Sequence, residues 1–186
     1  MLHFKMANSN RKVAIYIDGS NFYFSIKKTF NYKVNIEKFC KKLINNDEDL
    51  IKISYYISPV EQFSNLKMYA EQQSFFEILR KIDKFHIVFG RLEKRKRDRE
   101  VYYVEKANDV NLALDLALDA QKGVYEKAYL ISNDGDFSGA VSAAINFGKE
   151  IIYVAIGNRN SISHHLNKVA SKTLKIDKKF VEEVKL

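Results

Sequence analysis

Apolar and polar positions follow two rhythms along this chain. Short, β-rich apolar runs recur at VAIYI (13–17), IKISYYI (51–57), FHIVFG (85–90), VYYV (101–104), AYLIS (128–132), IIYVA (151–155) and TLKI (173–176), most of them too brief for helices. Between them, apolar residues return every three or four positions over 21–29, 35–44, 62–82, 109–121, 137–147 and 162–170, the spacing of helices with one buried face. Strands alternating with helices predict an α/β fold: a three-layer sandwich whose mainly parallel central sheet is covered by helices on both faces. Gly123 and Gly148 follow two of the helical segments, where a left-handed residue commonly closes the last turn.

One segment breaks the rhythm. RLEKRKRDRE (91–100) lies between FHIVFG and VYYV, two runs able to pair antiparallel, so it reads as an exposed hairpin or strand extension. A solvated loop is the plain alternative, because like charges in a row avoid burial. Its basic residues Arg91, Lys94, Arg95, Lys96, Arg97 and Arg99 would also suit sequence-independent contact with a phosphate backbone.

Composition narrows the field. With 186 residues, 46% of them hydrophobic, the chain can bury one sizeable core, so a single domain over 11–186 is expected, preceded by a flexible extension over 1–10. Lys and Arg total 31 against 23 Asp and Glu, and the net charge of +8 fits nucleic acid, an anionic membrane face or an acidic protein. The lone Cys40 excludes an intramolecular disulfide and a cysteine zinc site, and points to a reducing compartment. No apolar run approaches the roughly 18 residues of a membrane span, and the start lacks a signal-peptide pattern, so a soluble, cytoplasmic protein is expected.

Acidic residues stand where strands end or helices begin: Asp18 in IYIDGSNFY, Asp109 in KANDVNLALD, and Asp134 and Asp136 in LISNDGDF. In an open α/β sheet the carboxyl ends of neighbouring strands share one crevice, so these distant residues can meet there. Crowded carboxylates repel, and a divalent cation such as Mg²⁺ or Mn²⁺ offsets that repulsion. Each has a structural alternative. Asp18 and Asp109 also fit the helix-cap position, and DGD also fits a plain turn. On a helical wheel Val110, Leu112, Ala113, Leu116, Ala117 and Ala120 form an apolar arc that Leu114 and Leu118 widen, Asp109 projects into it, and Asn111, Asp115 and Asp119 form a solvated stripe. His164 and His165 are adjacent on a helix and point apart, so they are not a ligand pair. Aromatic residues are abundant and belong mainly to the core, with Tyr23, just past the acidic turn, the exception suited to stacking on a base. No phosphate loop or dinucleotide fingerprint is present.

In order and context the stretches IYIDGSNFY, Lys106 with Asp109, Val110, Leu112, Ala113 and Asp115, and Ser132 with Asp134, Asp136 and Phe137 resemble the NYN domain. That domain is a branch of the PIN-like nucleases, and the resemblance is to its bacterial LabA-like group, over roughly 11–177. It implies a sheet of order 3-2-1-4-5, metal-binding Asp18, Asp109 and Asp134 with Asp136 as a fourth, and Asn21 as an active-site residue orienting Asp18 or a phosphate. The chain departs from the common pattern at Asn133, often Gly, and Asn108, often Val.

The expectation is a Mg²⁺- or Mn²⁺-dependent ribonuclease acting on single-stranded or structured RNA, with Lys106 near the scissile phosphate, the 91–99 cations along the backbone, and a homodimer possible. A binding or regulatory module with a vestigial pocket is the alternative. An Asp-nucleophile phosphatase is disfavoured, because Ser20 stands where a second carboxylate is normally needed.

Overall fold

Residues 13–17 of the first strand are wholly buried, so that strand must be covered on both faces and lie inside the sheet. The computed structural model describes residues 10–60, 65–97 and 100–186; the extension over 1–10 falls outside them except for Asn10. In chain order the elements are β1 (Arg11–Asp18), α1 (Gly19–Phe30), α2 (Ile36–Leu43), β2 (Glu48–Ile57), α3 (Leu66–Leu79), β3 (Phe85–Phe89), β4 (Arg91–Arg97), β5 (Glu100–Lys106) and α4 (Asn108–Gln121). There follow β6 (Lys127–Ile131), a 3-10 turn (Gly135–Phe137), α5 (Ser138–Asn146), β7 (Glu150–Ile156), α6 (His164–Val169), β8 (Lys172–Ile176) and α7 (Lys178–Val184).

The main sheet has six strands in the order β3-β2-β1-β6-β7-β8, and every neighbouring pair is parallel. Counted within that sheet the order is 3-2-1-4-5 with one further edge strand, so the expected three-layer α/β architecture holds. Side-chain alternation divides the core in two. Val13, Ile15 and Ile17 join a cluster with Phe22, Phe39 and Phe76 from α1, α2 and α3. Ala14 and Tyr16 join Leu112, Leu116, Val141 and Leu166 from α4, α5 and α6 on the opposite face. Order reverses between β1 and β6, which opens a crevice at their carboxyl ends.

Three sequence expectations are corrected. FHIVF does not pair with VYYV: β3 lies in the main sheet beside β2, and β5 pairs antiparallel with the basic β4 in a separate two-stranded sheet. The basic segment is thus a strand of a hairpin ribbon, in line with its reading as a hairpin or strand extension, but its partner is β5 and the solvated-loop alternative does not hold. Helix α3 spans Leu66–Leu79, capped by the Asn65 side chain, which accepts from the Met68 N–H; residues 61–64, where the helical spacing begins, lie outside the described residues. Helix α7 was not anticipated. It is capped by Asp177 and buries Val181 and Val184 against the α2 side of the sheet.

Candidate functional site

Asp18 closes β1 and caps α1. Its Oδ1 accepts from the Asn21 N–H at 3.1 Å and its Oδ2 from the Ser132 hydroxyl at 2.9 Å, so the carboxylate is held from both flanking elements while only 9% of the residue is exposed. Position 19 must be glycine: a Cβ there would stand 2.7 Å from the Tyr55 ring and 2.8 Å from the Tyr56 carbonyl oxygen. Asn21 acts through its backbone on Asp18 and through its side chain on the segment after β6 and on its own helix, since Oδ1 accepts from the Asn133 N–H at 2.9 Å and from the Ser25 hydroxyl at 3.2 Å.

In sequence, Asn133 stands out only as a departure from glycine. In the fold it is a junction: Nδ2 donates to the Ile156 carbonyl at 2.6 Å, and Oδ1 accepts from the Tyr153 hydroxyl at 2.7 Å. It thereby ties the ends of β6 and β7 to α1. Ser132 plays the matching part, donating to Asp18 and accepting from the Asp134 N–H at 3.1 Å.

A crevice of about 460 Å³ lies above these ends, lined among others by Asp18, Ser20, Asn21, Lys28, Asp109 and Asn133. Asp18 and Asp109, distant in sequence, thus open onto one space. Asp109 neither caps α4 nor faces the sheet. The cap position is Ala107, at φ 72 and without a side-chain cap bond, and Asp109 is exposed in the first turn, where the helix dipole favours an anion.

The helical wheel needs correction accordingly. The face of α4 toward the sheet carries Asn108, Leu112, Leu116 and Ala120, while Val110, Leu114 and Leu118 are exposed. Asp115 and Asp119 are half-buried rather than solvated: the Tyr56 hydroxyl donates to Asp115 at 2.8 Å, and the Tyr16 hydroxyl and Lys52 ammonium donate to Asp119 at 2.6 and 2.7 Å. Burial, reinforced by these carboxylates, pushes both phenols well above the usual tyrosine range.

Asp134 and Asp136 lie on the adjacent 3-10 turn and are not among the crevice-lining residues. Asp134 Oδ1 accepts from the Asp136 N–H at 2.9 Å, capping that turn, and Asp136 is exposed. Among the described residues no group of three or more His, Cys, Asp or Glu side chains is arranged to hold a metal ion. The exposed Phe24 lines the crevice, whereas Tyr23, also exposed, does not and instead carries the Lys27 ammonium over its ring at 5.6 Å. Arg91, Lys94, Arg95, Lys96 and Lys106 lie on β4 and β5; Arg99 and the side chain of Arg97 fall outside what is described. His164 and His165 are both exposed, with ring centroids 6.3 Å apart.

The NYN-domain family description matches residues 12–177, most of the chain. The chain belongs to the NYN-domain family. This NYN domain therefore falls within a PIN-like, nuclease-type family, which gives it an RNA-related nuclease character in general terms. A crystal structure of a protein of unknown function from Vibrio parahaemolyticus superposes with a TM-score of 0.72 at 21% identity, covering 95% of this chain and 99% of that one. At that identity the likeness concerns the fold. No curated protein matches the sequence. Among the described residues of the NYN domain no helix is long and apolar enough to cross a membrane.

The donor chemistry suits a hard cation. Mg²⁺ and Mn²⁺ favour oxygen ligands, and Mg²⁺ is commonly held by one or two carboxylates while keeping several waters. Asp18 and Asp109, with the polar lining around them, match that pattern better than an all-protein cage.

Proposed function

We propose that this NYN domain, of the LabA-like branch, is a metal-dependent ribonuclease that hydrolyses RNA phosphodiesters in the crevice above β1. What carries the reading is the pairing of Asp18 and Asp109 on one polar cavity at the point where strand order reverses. Asp18 and Asp109 would hold Mg²⁺ or Mn²⁺, with Asp134 and Asp136 on the neighbouring turn within the same acidic edge. Such a cation, when bound, supplies an activated water and offsets phosphate charge.

The chain's own residues do the rest. The Asn21 N–H and Ser132 hydroxyl fix the Asp18 carboxylate in one orientation, which saves the entropy of ordering it at each turnover. Lys28, on the crevice wall, faces the incoming phosphate, and Phe24 offers an apolar surface beside it. The cations of β4 and β5 hold the RNA backbone.

Two observations favour a second reading: Asp134 is engaged as a cap, and among the described residues no cluster of three ligating side chains stands ready. On that reading the domain binds RNA without cutting it. Incubation of the protein with RNA in Mn²⁺ and then with EDTA separates the two. The ribonuclease cleaves in Mn²⁺, stops in EDTA, and loses cleavage in Asp18→Asn, a change that preserves the helix cap. Intact RNA under every metal condition would transfer the function to the binding module.

A further inference from the structure

The two-stranded sheet of β4 and β5 stands apart from the six-stranded one. Such a ribbon is only marginally stable in water without a surface to pack on, so a long basic one calls for a binding role. Its stem is firmly rooted. The Gly90 N–H donates to the Ile57 carbonyl at 3.0 Å, the Ser58 hydroxyl to the Arg91 carbonyl at 3.2 Å, and Asn108 Nδ2 to the Ser58 hydroxyl at 3.0 Å. Gly90 is needed for this closeness, since a Cβ would lie 2.1 Å from Asn108 Oδ1. Asn108 immediately precedes Asp109, so the ribbon projects from the rim of the crevice itself.

Register then sorts the side chains. Directly paired residues of antiparallel strands share a face. Arg91 pairs with Lys106 and Arg95 with Tyr102, which puts three cations and an aromatic ring on one face. Lys94, paired with Tyr103, and Lys96 lie on the other beside Leu92; there both lysines are exposed but Leu92 and Tyr103 are half-buried, whereas on the first face Val104 is half-buried and the Tyr102 ring is 43% exposed. Arg95 Nε also donates to Glu93 Oε1 at 3.3 Å on the first face, tethering the guanidinium along the ribbon. Arg91 and Arg95 are about 13 Å apart along the strand, enough to engage separate phosphates.

We propose that this face of the ribbon is a landing arm for unpaired RNA, with Arg91, Arg95 and Lys106 on the phosphates and one base stacked on Tyr102. The choice of RNA rests on the ribonuclease reading; the choice of an unpaired strand rests on the ring, because a base held in a duplex has no free face to offer it. An acidic protein would use the cations but has no counterpart for the exposed ring among them.

Fluorescence anisotropy tests the arm, using a short labelled oligouridylate and a duplex of similar length, in EDTA so that both stay intact. Tyr102→Ala is expected to weaken single-strand binding about tenfold, within the range of loss from removing one base–aromatic stack, and to leave duplex binding unchanged. Tyr102→Phe keeps wild-type affinity. Arg95→Ala weakens both ligands and lowers the salt slope by about one. Wild-type affinity in Tyr102→Ala, equal losses in Lys94→Ala and Arg95→Ala, or a wild-type protein that takes up polyglutamate but not RNA would each overturn the proposal. Adding Mn²⁺ to the same mixtures separates the two ideas. Wild-type affinity in Tyr102→Ala together with cleavage removes the arm and keeps the nuclease, whereas Tyr102-dependent binding without cleavage does the reverse.

Discussion

Space, more than charge, governs the residues around Asp18. Gly19 runs so close to the Tyr55 ring and the Tyr56 carbonyl that any side chain must push a strand aside. Gly19→Ala is therefore expected to cost about 1–3 kcal/mol, the usual penalty of overpacking, read as a lower urea midpoint. An unchanged midpoint would mean that β2 yields freely. The acidic turn itself was visible in IYIDGSN, because a carboxylate at a strand end followed by Gly and Asn is a local pattern. The role of Asn133 was not. Its partners Tyr153 and Ile156 belong to β7, and nothing near residue 133 in sequence announces them.

Helix α4 carries the lesson at the level of elements. Periodicity gave its extent to within a residue, yet the wheel turned Asp109 inward and Asp115 and Asp119 outward. The inversion comes from tyrosine, which spans an apolar layer with its ring and still offers a hydroxyl at the far side. Tyr16 and Tyr56 rise from the sheet and meet the helix's carboxylates, so a polar stripe packs inward and Leu114 and Leu118 are left exposed. These bonds fix how α4 seats on β1 and β2, and with it where Asp109 stands. Tyr16→Phe removes one bond and is expected to cost about 1 kcal/mol. Asp119→Ala leaves both the Tyr16 hydroxyl and the Lys52 ammonium without this acceptor and should cost more, about 2–3 kcal/mol. Equal losses in thermal or urea melts would argue against the shared acceptor. The ribbon was misread for a related reason: FHIVF and VYYV look alike as β-runs, and only the parallel place beside β2 removes the first from the hairpin.

At the scale of the molecule, the two halves of the sheet are joined by the β1–β6 ladder and, across it, by a buried ion pair. Lys127 on β6 meets Glu48 on β2 at 2.6 Å, with side chains 9% and 4% exposed. Burial alone would raise the Glu48 pKa, but the Asn45 N–H and the Lys127 ammonium outweigh it and hold the carboxyl below its usual range. For Lys127 burial pulls downward, and Glu48 with Tyr129 outweighs it, holding the amine above its usual range. A depressed acid stabilises the fold above its unfolded pKa, so that contribution is whole above about pH 4.3 and lost as pH falls through the lower folded value. A raised base stabilises below its unfolded pKa, so its share is whole below about pH 10.4 and lost as pH rises through the higher folded value. Melting temperature against pH should therefore fall at the acid end through Glu48 and at the alkaline end through Lys127 together with the Tyr16 and Tyr56 phenols, whose raised values cost stability as pH climbs through about 10. In Lys127→Ala with Glu48→Ala both shoulders should shrink; persistence of both would assign them elsewhere. The sequence by itself determined the layered α/β sandwich, the position of β1 and the acidic turns that end its strands, because these follow from periodicity and local chain geometry. Only the tertiary structure decided which carboxylates share the crevice, which way α4 faces and that the basic run is a strand of a separate ribbon. Those depend on partners contributed by remote strands, whose side chains settle by packing and hydrogen bonding rather than by any pattern in the neighbouring residues.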